Sequence, residues 1–264
     1  MRMLQNELLE LTPNELATLS LCLEVPQPVG LGVHPLDVLS VADRTSTVRS
    51  CLESLAGRGY VEALPGDQFR IHDVTAQIVT VAARPSAVLR LVRSEGDQTT
   101  GLVFIYGIRD LAVVQEVRLD GSQRFMPKSL TDAMAELADA LGGLPSEAES
   151  AEPAVALTRA QLMPAPQPQR SDTDPRVEGI RRDLARAVES VRLDLLWMNG
   201  SATVAPYLTV FTADDETSWL LTGIGAEADD IVTCHRASVI QVRRALHAML
   251  VGSAFVIADQ SQRP

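Results

Sequence analysis

The residue types that most often carry catalysis or hold metal ions are few in this sequence and poorly spaced. The four histidines, His34, His72, His235 and His247, show no metal-ligand spacing among themselves. Cys234 is adjacent to His235 on a predicted strand, so the two side chains point to opposite faces of the sheet. We therefore expect neither a metal site nor a nucleophile–base pair in this chain.

Nucleotide and calcium motifs are equally weak. Residues 223–228 fit the dinucleotide pattern G-x-G-x-x-A, but two aspartates and a predicted strand follow them instead of a helix N-terminus. The acidic clusters at 214–216 and 227–230 lack the alternating spacing of a calcium loop. Neither a P-loop nor the serine hydrolase motif G-x-S-x-G occurs in the sequence. The sequence thus predicts no cofactor and no enzymatic activity. The alternative is an enzyme whose active site has no recognisable sequence motif.

Composition and charge narrow the class of partner. With 46% hydrophobic and 22% charged residues, a chain of 264 residues can bury a core without disulfide or metal support. The 34 acidic residues outnumber the 23 basic residues, of which only Lys128 is a lysine, so the chain is a poor general binder of polyanions. We therefore expect a protein or a small molecule as the partner, with nucleic acid disfavoured and no membrane.

The cysteines and the absence of apolar runs indicate a compartment. Cys22, Cys51 and Cys234 lie far apart within apolar patterns, which is typical of reduced cysteines in a cytosolic protein. The first ten residues lack an apolar run of signal-peptide length, and no apolar stretch of 18 residues occurs in the sequence. The sequence thus predicts a cytoplasmic protein.

Element patterns and proline content divide the chain into four segments. Residues 144–175 hold six of the fifteen prolines and are predicted as a Pro-rich linker. The more apolar middle of this linker, residues 154–163, is predicted to dock as a short strand or helix. A segment at 1–85 and a lobe at 86–143 precede the linker, and a second lobe at 176–264 follows it. Together they predict an α+β fold, with a winged-helix-like N-terminal segment followed by two β-meander-plus-helix lobes.

The N-terminal segment follows the winged-helix order of three helices and a hairpin. A capping box at Thr12 and Glu15 begins the first predicted helix. Residues 35–42 are predicted as a short second helix. The third helix is predicted to begin near residues 43–45 and to end at Gly57. Two strands connected by a turn follow it, at 60–64 and 68–71.

Each lobe is predicted as a β-meander closed by a helix. In the first lobe we expect strands at 88–92, 102–108, 111–117 and around Phe125, before a helix that Ser129 caps. In the second lobe we expect a helix at 176–190, strands at 191–198, 207–212, 219–224 and 231–236, a helix that Ser238 caps, and an optional edge strand at 254–258. Residues 89–96 match residues 193–200 in pattern, which leaves a pseudo-two-fold repeat open.

One surface hypothesis places DNA on the third predicted helix. The N-terminal half of this helix would enter a major groove, and later arginines would contact phosphates. The candidate residues are Arg44, Thr45, Thr47, Arg49, Arg58 and Arg70. Against this hypothesis, residues 1–85 carry six arginines and ten carboxylates, a net charge of −4. A winged-helix transcriptional regulator with a C-terminal sensing or dimerisation region is therefore the alternative function.

A second surface hypothesis places a protein partner on the second lobe. Aromatic residues and a methionine lie there next to predicted loops, as they do at many protein interfaces. The candidate contact residues are Trp197, Met198, Tyr207, Phe211 and Trp219. For the two tryptophans, filling the core is the alternative role.

Several short motifs, in their order along the chain, resemble one protein family. They are Leu-Thr-Pro-x-Glu-Leu at 11–16, Leu-x-x-Arg-Gly-Tyr-Val at 55–61 and Ala-Arg-Pro at 83–85, followed by the two meander lobes. In these features the chain is similar to the EspG family of type VII (ESX) secretion-associated chaperones of actinobacteria. The resemblance implies an α+β fold of two pseudo-symmetric lobes, in a cytosolic protein that binds an aggregation-prone helical tip of a secreted partner. A bacterial adaptor or secretion chaperone is therefore the first function hypothesis.

Overall fold

The computed structural model describes residues 8–28, 34–141, 153–162, 174–197, 206–213, 217–225 and 227–260. Its antiparallel strands and helices confirm the α+β class. The chain divides into two compact units, Met1–Val88 with Leu102–Ala133 (unit 1) and Leu89–Gly101 with Met134–Pro264 (unit 2). The segment boundaries expected from the sequence, at 85, 143 and 175, stay predictions. Within the described ranges, no helix is long and apolar enough to cross a bilayer.

Unit 1 begins with strand β1 (Leu9–Leu11) and helix α1 (Pro13–Cys22). The predicted capping box is confirmed, since the Glu15 N–H donates to Thr12 Oγ1 at 3.3 Å and the Thr12 N–H donates to Glu15 Oε2 at 2.9 Å. Helix α1 packs against α2 (Val41–Gly57) and α3 (Asp73–Ala83). A fully buried core of leucine and isoleucine side chains, Leu16, Leu19, Leu55 and Ile78, holds these helices together.

The helices of unit 1 differ from the prediction in two places. Residues 35–39 form turns, so the predicted short helix at 35–42 was wrong. The Asp37 N–H donates to the His34 carbonyl at 2.9 Å, and Ser40 then caps α2, whose first residue is Val41. Helix α3 was not predicted, because its many β-branched residues are typical of strands.

The hairpin of unit 1 was predicted correctly. Strands β2 (Val61–Leu64) and β3 (Gln68–Ile71) pair in antiparallel fashion, and a turn at residues 65–67 joins them. The order along the chain is therefore helix, turns, helix, hairpin and helix. Assignment of this arrangement to the winged-helix class stays a prediction.

The strands of unit 1 lie in the order β1-β7-β6-β5, with β5 at Gln98–Ile108 (in this unit from Leu102), β6 at Leu111–Val117 and β7 at Gln123–Ser129. All neighbouring pairs in this set are antiparallel. The Tyr106 hydroxyl donates to the side-chain oxygen of Gln115 inside the sheet, and burial raises the pKa of Tyr106. Helix α4 (Leu130–Leu141) follows β7, and the Asp132 N–H donates to the predicted cap, Ser129, at 3.0 Å.

The strands of unit 2 lie in the order β4-β9-β10-β11-β12-β8. They are β4 (Ala87–Glu95, in this unit from Leu89), β8 (Val155–Thr158), β9 (Ala187–Trp197), β10 (Pro206–Ala213), β11 (Ser218–Ile224) and β12 (Ile231–Arg236). Helices α5 (Arg159–Leu162) and α6 (Pro175–Ala185) pack on one face, and α7 (Val239–Gln260) packs against β10 and β11. Part of the expected linker is therefore ordered structure, because β8 pairs with β12 and α5 follows it.

Two boundaries in unit 2 correct the prediction. Helix α6 ends at Ala185 rather than at residue 190, and β9 begins at Ala187. At this point the backbone leaves the helix and forms hydrogen bonds with a neighbouring strand segment: the Gly96 N–H donates to the Val188 carbonyl at 3.0 Å. The optional edge strand at 254–258 was wrong, because α7 continues to Gln260.

The two meanders repeat one order of elements. Strands β4 to β7 lead into α4, and strands β9 to β12 lead into α7. A true internal duplication stays a prediction.

Candidate partner-binding groove

An apolar groove of about 750 Å³ lies in unit 2 between strands β10 to β12 and helix α7. The strands contribute mainly aliphatic side chains and threonines, and the helix contributes two alanines, two polar residues and a methionine. The lining residues are Pro206, Tyr207, Leu208, Leu220, Thr222, Gly223, Ile224, Ile231, Thr233, His235, Gln241, Arg244, Ala245, Ala248 and Met249. A cavity of this size lies within the range that accommodates ligands or several side chains of a partner.

Strand alternation explains which residues reach the groove. On β11, Leu220, Thr222 and Ile224 line it, whereas Trp219 and Leu221 belong to the core cluster on the other face. The same alternation on β12 turns Ile231, Thr233 and His235 toward the groove and Val232 and Cys234 away from it. The alternation along these strands therefore gives the β-meander one face that lines the groove and an opposite face that packs in the core cluster.

Helix α7 forms the opposite wall. Its lining residues recur at positions i, i+3, i+4, i+7 and i+8, which is one face of a helix: Gln241, Arg244, Ala245, Ala248 and Met249. The buried residues Val242 and Leu246 anchor the helix next to this face. Because Ala245 and Ala248 are small, the helix leaves the space between itself and the strands unfilled.

Two isoleucines at the ends of β11 and β12 make the mouth of the groove apolar. Ile224 is 58% exposed and Ile231 is 59% exposed. Contiguous exposed apolar residues mark interaction sites more often than single exposed apolar residues, which are common. These two residues are therefore the best candidates for contact with a partner.

A tight acidic turn joins β11 to β12 beside the isoleucines. Gly225 adopts a φ of 89°, and the Glu227 N–H donates to Asp230 Oδ2 at 2.7 Å. The turn is tied to α5, because the N–H groups of Arg159 and Ala160 donate to the carbonyls of Asp230 and Ala228 at 2.9 and 2.8 Å. Residues 228 and 230 are thus held to α5, which packs on the face of the strands opposite the groove.

The structure places three of the five predicted contact residues on the other face of the strands, beneath α5 and α6. Tyr207, Phe211 and Trp219 are buried in the core cluster there, and of the three only Tyr207 also lines the groove. The side chain of Trp197, and the whole of Met198, lie outside the described residues. A role for these five residues in partner contact stays a prediction.

Cationic side chains cover two of these aromatic rings. The guanidinium carbons of Arg159 and Arg192 lie 5.2 and 4.7 Å from the ring centroid of Tyr207. Burial raises the pKa of Tyr207. The indole N–H of Trp219 donates to Asp183 at 2.9 Å, and the guanidinium carbon of Arg236 lies 4.3 Å from the ring centroid. These contacts fix both rings on the face opposite the groove.

The arginines of the DNA hypothesis all pair with carboxylates of unit 1. Arg44 lies 3.8 Å from Asp37, and Arg49 lies 3.0 Å from Asp67 and 3.1 Å from Glu53. Arg58 pairs with Glu15, and Arg70 pairs with Glu62. Such pairing offsets the positive charge that phosphate contacts need.

The two threonines of that hypothesis contribute little to a surface for bases. The Thr45 hydroxyl donates to the Val41 carbonyl of its own helix at 3.0 Å, and Thr47 is only partly exposed. DNA contact by these six residues stays a prediction.

Reactive groups do not converge on the groove. No cluster of metal-binding side chains occurs in the described ranges. Burial raises the pKa of Cys234 to about 12, which keeps the thiol protonated and inert. The mainly apolar lining of the groove suits binding by shape and apolar contact.

Comparison with known proteins shows similarity at the level of the fold. No family model and no curated protein sequence matches the chain. Among solved structures, it is similar to the type VII secretion system chaperone EspG5 of Mycobacterium tuberculosis, solved in complex with a PE25–PPE41 dimer. The two share 11% sequence identity and superpose with a TM-score of 0.60, over 92% of this chain and 96% of that chain. A likeness at this identity shows a common fold along nearly the whole chain.

Proposed function

We propose that the protein is a non-enzymatic cytosolic chaperone or adaptor that holds a helical segment of a partner protein in the α7 groove. The observation that carries the proposal is the open apolar groove with the exposed pair Ile224 and Ile231 at its mouth. The fold that the chain shares with a secretion chaperone solved with a bound protein dimer supports this function.

The shape of the groove favours a helix as its occupant. One wall is a helix that presents the small residues Ala245 and Ala248, and small residues let a second helix approach closely. An amphipathic helix places apolar side chains at i, i+3, i+4 and i+7 into such a groove, a common mode of peptide recognition. Burying Ile224 and Ile231 against that face would stabilise the complex through the hydrophobic effect.

A chaperone role follows from the same physics. A partner with an exposed apolar helical face would aggregate in water, because contiguous apolar patches associate with one another. Binding in the groove covers that face until the partner is delivered. In a type VII secretion system of a bacterium, the delivered partner would be a secreted protein, and the chaperone would act in the cytosol before export.

The proposal is tested by co-expressing the full chain with helical secreted proteins encoded beside its gene. We expect a complex of defined mass by size exclusion with light scattering. The variant Ile231→Asp, which places a charge at the groove mouth, should lose this complex while retaining the circular dichroism and melting temperature of the parent.

Leu119 supplies the matched control. It is an exposed apolar residue, at 93%, in the turn between β6 and β7, and it does not line the groove. The variant Leu119→Asp should bind as the parent does. A complex that persists undiminished with Ile231→Asp, or that Leu119→Asp disrupts equally, would contradict the assignment of function to the groove.

A further inference from the structure

The groove lining carries charge of the opposite sign to the chain as a whole. The sequence has a net charge of −11. Of the described residues that line the groove, none is acidic, whereas His235 and Arg244 have basic side chains. A binding surface whose charge differs in sign from the rest of its protein attracts oppositely charged partners to that place. The lining therefore points to an acidic group on the occupant.

The polar groups of the lining gather at one end of the groove. Only two residues separate His235 from Ser238, the cap of α7, so this end of β12 lies beside the beginning of the helix. Gln241 lies in the first turn of α7, and Arg244 follows it three residues later. Ile231 lies four residues back along β12 from His235, which is about 13 Å along a strand. The groove thus has a polar end and an apolar end.

Hydrogen-bond donors are available at the polar end. The Ser238 hydroxyl donates to Gln241 Oε1 at 3.1 Å, which leaves the amide NH2 of Gln241 as a donor. Within the described ranges, the His235 imidazole has no hydrogen-bonding partner, and its cross-strand neighbour in the lining, Leu220, is apolar. The guanidinium of Arg244 adds five N–H donors, which can serve more than one acceptor. A carboxylate is the group that best matches such a set of donors.

We infer, on the basis of the proposed function, that the groove selects an amphipathic helix with an aspartate or glutamate at one end of its apolar face. The carboxylate accepts hydrogen bonds from His235, Gln241 and Arg244. Its two oxygens offer about four lone-pair sites, enough for all three donors. The apolar face of the same helix covers Ile224 and Ile231 at the other end of the groove. A helix with lysines in these positions is disfavoured, because it brings like charge to the basic residues of the lining.

Three synthetic peptides test this inference on the full chain. All are labelled helices of one length, with leucines at i, i+3, i+4 and i+7 in an alanine background. Both ends of the leucine face carry glutamates, glutamines or lysines, so the direction of binding need not be known. At low salt we expect the glutamate peptide to bind about fivefold more tightly than the glutamine peptide in fluorescence anisotropy, and the lysine peptide to bind most weakly. Attraction to the net charge of −11 alone would give the reverse order.

Two matched double variants locate the carboxylate. His235→Gln with Arg244→Gln removes both basic groups of the lining and should reduce the preference for glutamate over glutamine to less than about twofold. His247→Gln with Arg243→Gln makes the same substitutions at exposed residues of α7 that do not line the groove, and should leave the preference unchanged. Arg244 is exposed, so Arg244→Gln alone should fold as the parent does and lower the preference. Equal effects of the two double variants, or equal affinity of the glutamate and glutamine peptides, would overturn the inference.

The same peptides distinguish failure of the inference from failure of the proposed function. Equal binding of the glutamate and glutamine peptides that Ile231→Asp abolishes refutes the charge selection and leaves the groove as the binding site. Absence of binding by all three peptides overturns both. A dimer of the chain that Ile231→Asp dissolves would place a second copy in the groove, and this result would also overturn the inference.

Discussion

Arg90 of β4 donates two hydrogen bonds to one carboxylate oxygen of Asp194 on β9, from Nε at 3.1 Å and from Nη2 at 2.8 Å. The other oxygen accepts from Arg192 at 2.8 Å. Asp194 is only 3% exposed, so its carboxylate has lost most of its hydration. The hydrogen bonds from the two guanidinium groups compensate for that loss. Arg90 and Asp194 also occupy matching positions when residues 89–96 are laid on residues 193–200. The pair therefore joins β4 and β9 at equivalent points of the two strands.

Replacing this carboxylate should destabilise unit 2. We expect Asp194→Asn to lower the free energy of unfolding by roughly 1–3 kcal/mol, because the amide is neutral and its NH2 group cannot accept a hydrogen bond from the second arginine. The effect should stay below that of a fully buried pair, since both arginines are partly exposed. Urea unfolding followed by circular dichroism measures it. The exposed carboxylate Asp97 gives the control, and a loss as large in Asp97→Asn would refute the role of the pair.

Glu15 should make the free energy of unfolding of unit 1 depend on pH. Burial by itself raises the pKa of this carboxyl, which is 4% exposed, but the Thr12 N–H, Arg58 and Ser54 bind its charged form and bring the pKa below its ordinary value. A lowered folded pKa gives stability that is complete above the unfolded pKa of about 4.3. That stability disappears as the pH falls through the lower folded value.

The variant Glu15→Gln removes this titration. We expect it to be less stable than the parent at neutral pH by roughly 1–3 kcal/mol, and to approach the parent as the medium becomes acidic. Melting temperatures measured across a pH series from neutral to about pH 3 would show the two curves converging. Parallel curves over this range would be inconsistent with the lowered pKa.

Gly223 leaves room for the ring of Tyr207. A Cβ at this position would lie 2.7 Å from the Tyr207 hydroxyl oxygen and 2.8 Å from Cζ, closer than atoms can approach. The ring is held in the core beneath α5 and α6, so we expect Gly223→Ala to destabilise the protein by about 1–3 kcal/mol. Thermal unfolding measures the loss.

Gly179 of α6 is the matched control. An added Cβ there meets nothing within 4 Å, and alanine favours the helix, so Gly179→Ala should stabilise the protein by about 0.5–1 kcal/mol. The combination Gly223→Ala with Tyr207→Leu should recover part of the loss, because the shorter side chain vacates the position of the ring. If the double variant loses as much stability as the two single variants together, the clash with the Tyr207 ring is not the cause of the loss in Gly223→Ala.

The ion pairs of unit 1 predict weak contact with nucleic acid. We expect the full chain not to retard duplex DNA in a gel at low salt, because Arg44, Arg49, Arg58 and Arg70 already pair with carboxylates. A retarded band would instead support the transcriptional regulator, provided that the affinity for DNA decreases steeply as the salt concentration is raised. Loss of that band in Arg44→Ala would then locate the contact.

Local signals in the sequence predicted the elements whose ends are fixed by side chains. Thr12, Ser129 and Ser238 each cap the helix that follows them, and the Gln241 N–H donates to the Ser238 hydroxyl at 3.3 Å. The meander strands were predicted because alternation and turn residues are local as well. The errors lie where tertiary packing competes with local preference. Residues 186–190 continue a helical pattern, yet β9 begins at Ala187 and pairs beside the hairpin at 89–101.

The groove itself could not be predicted from the sequence. Its walls come from β10, β11, β12 and α7, and the distance between the strands and the helix depends on how the helix packs rather than on any motif. The aromatic residues Tyr207, Phe211 and Trp219 were attractive candidates, but alternation along the strand places them in the core. The signals that were available are less conspicuous, namely Ile224 and Ile231 next to an acidic turn and two alanines one helical turn apart on α7.

Both compact units are assembled from separated stretches of chain, and this constrains the order of events on the ribosome. The stretch Leu89–Gly101 is synthesised before Leu102–Ala133 completes unit 1, yet its companions in unit 2 begin only at Met134. Until Met134 and the following residues are synthesised, this hairpin has unpaired strand edges, and such edges are prone to aggregation. The chain would therefore pass through a stage during synthesis in which its own strand edges are exposed.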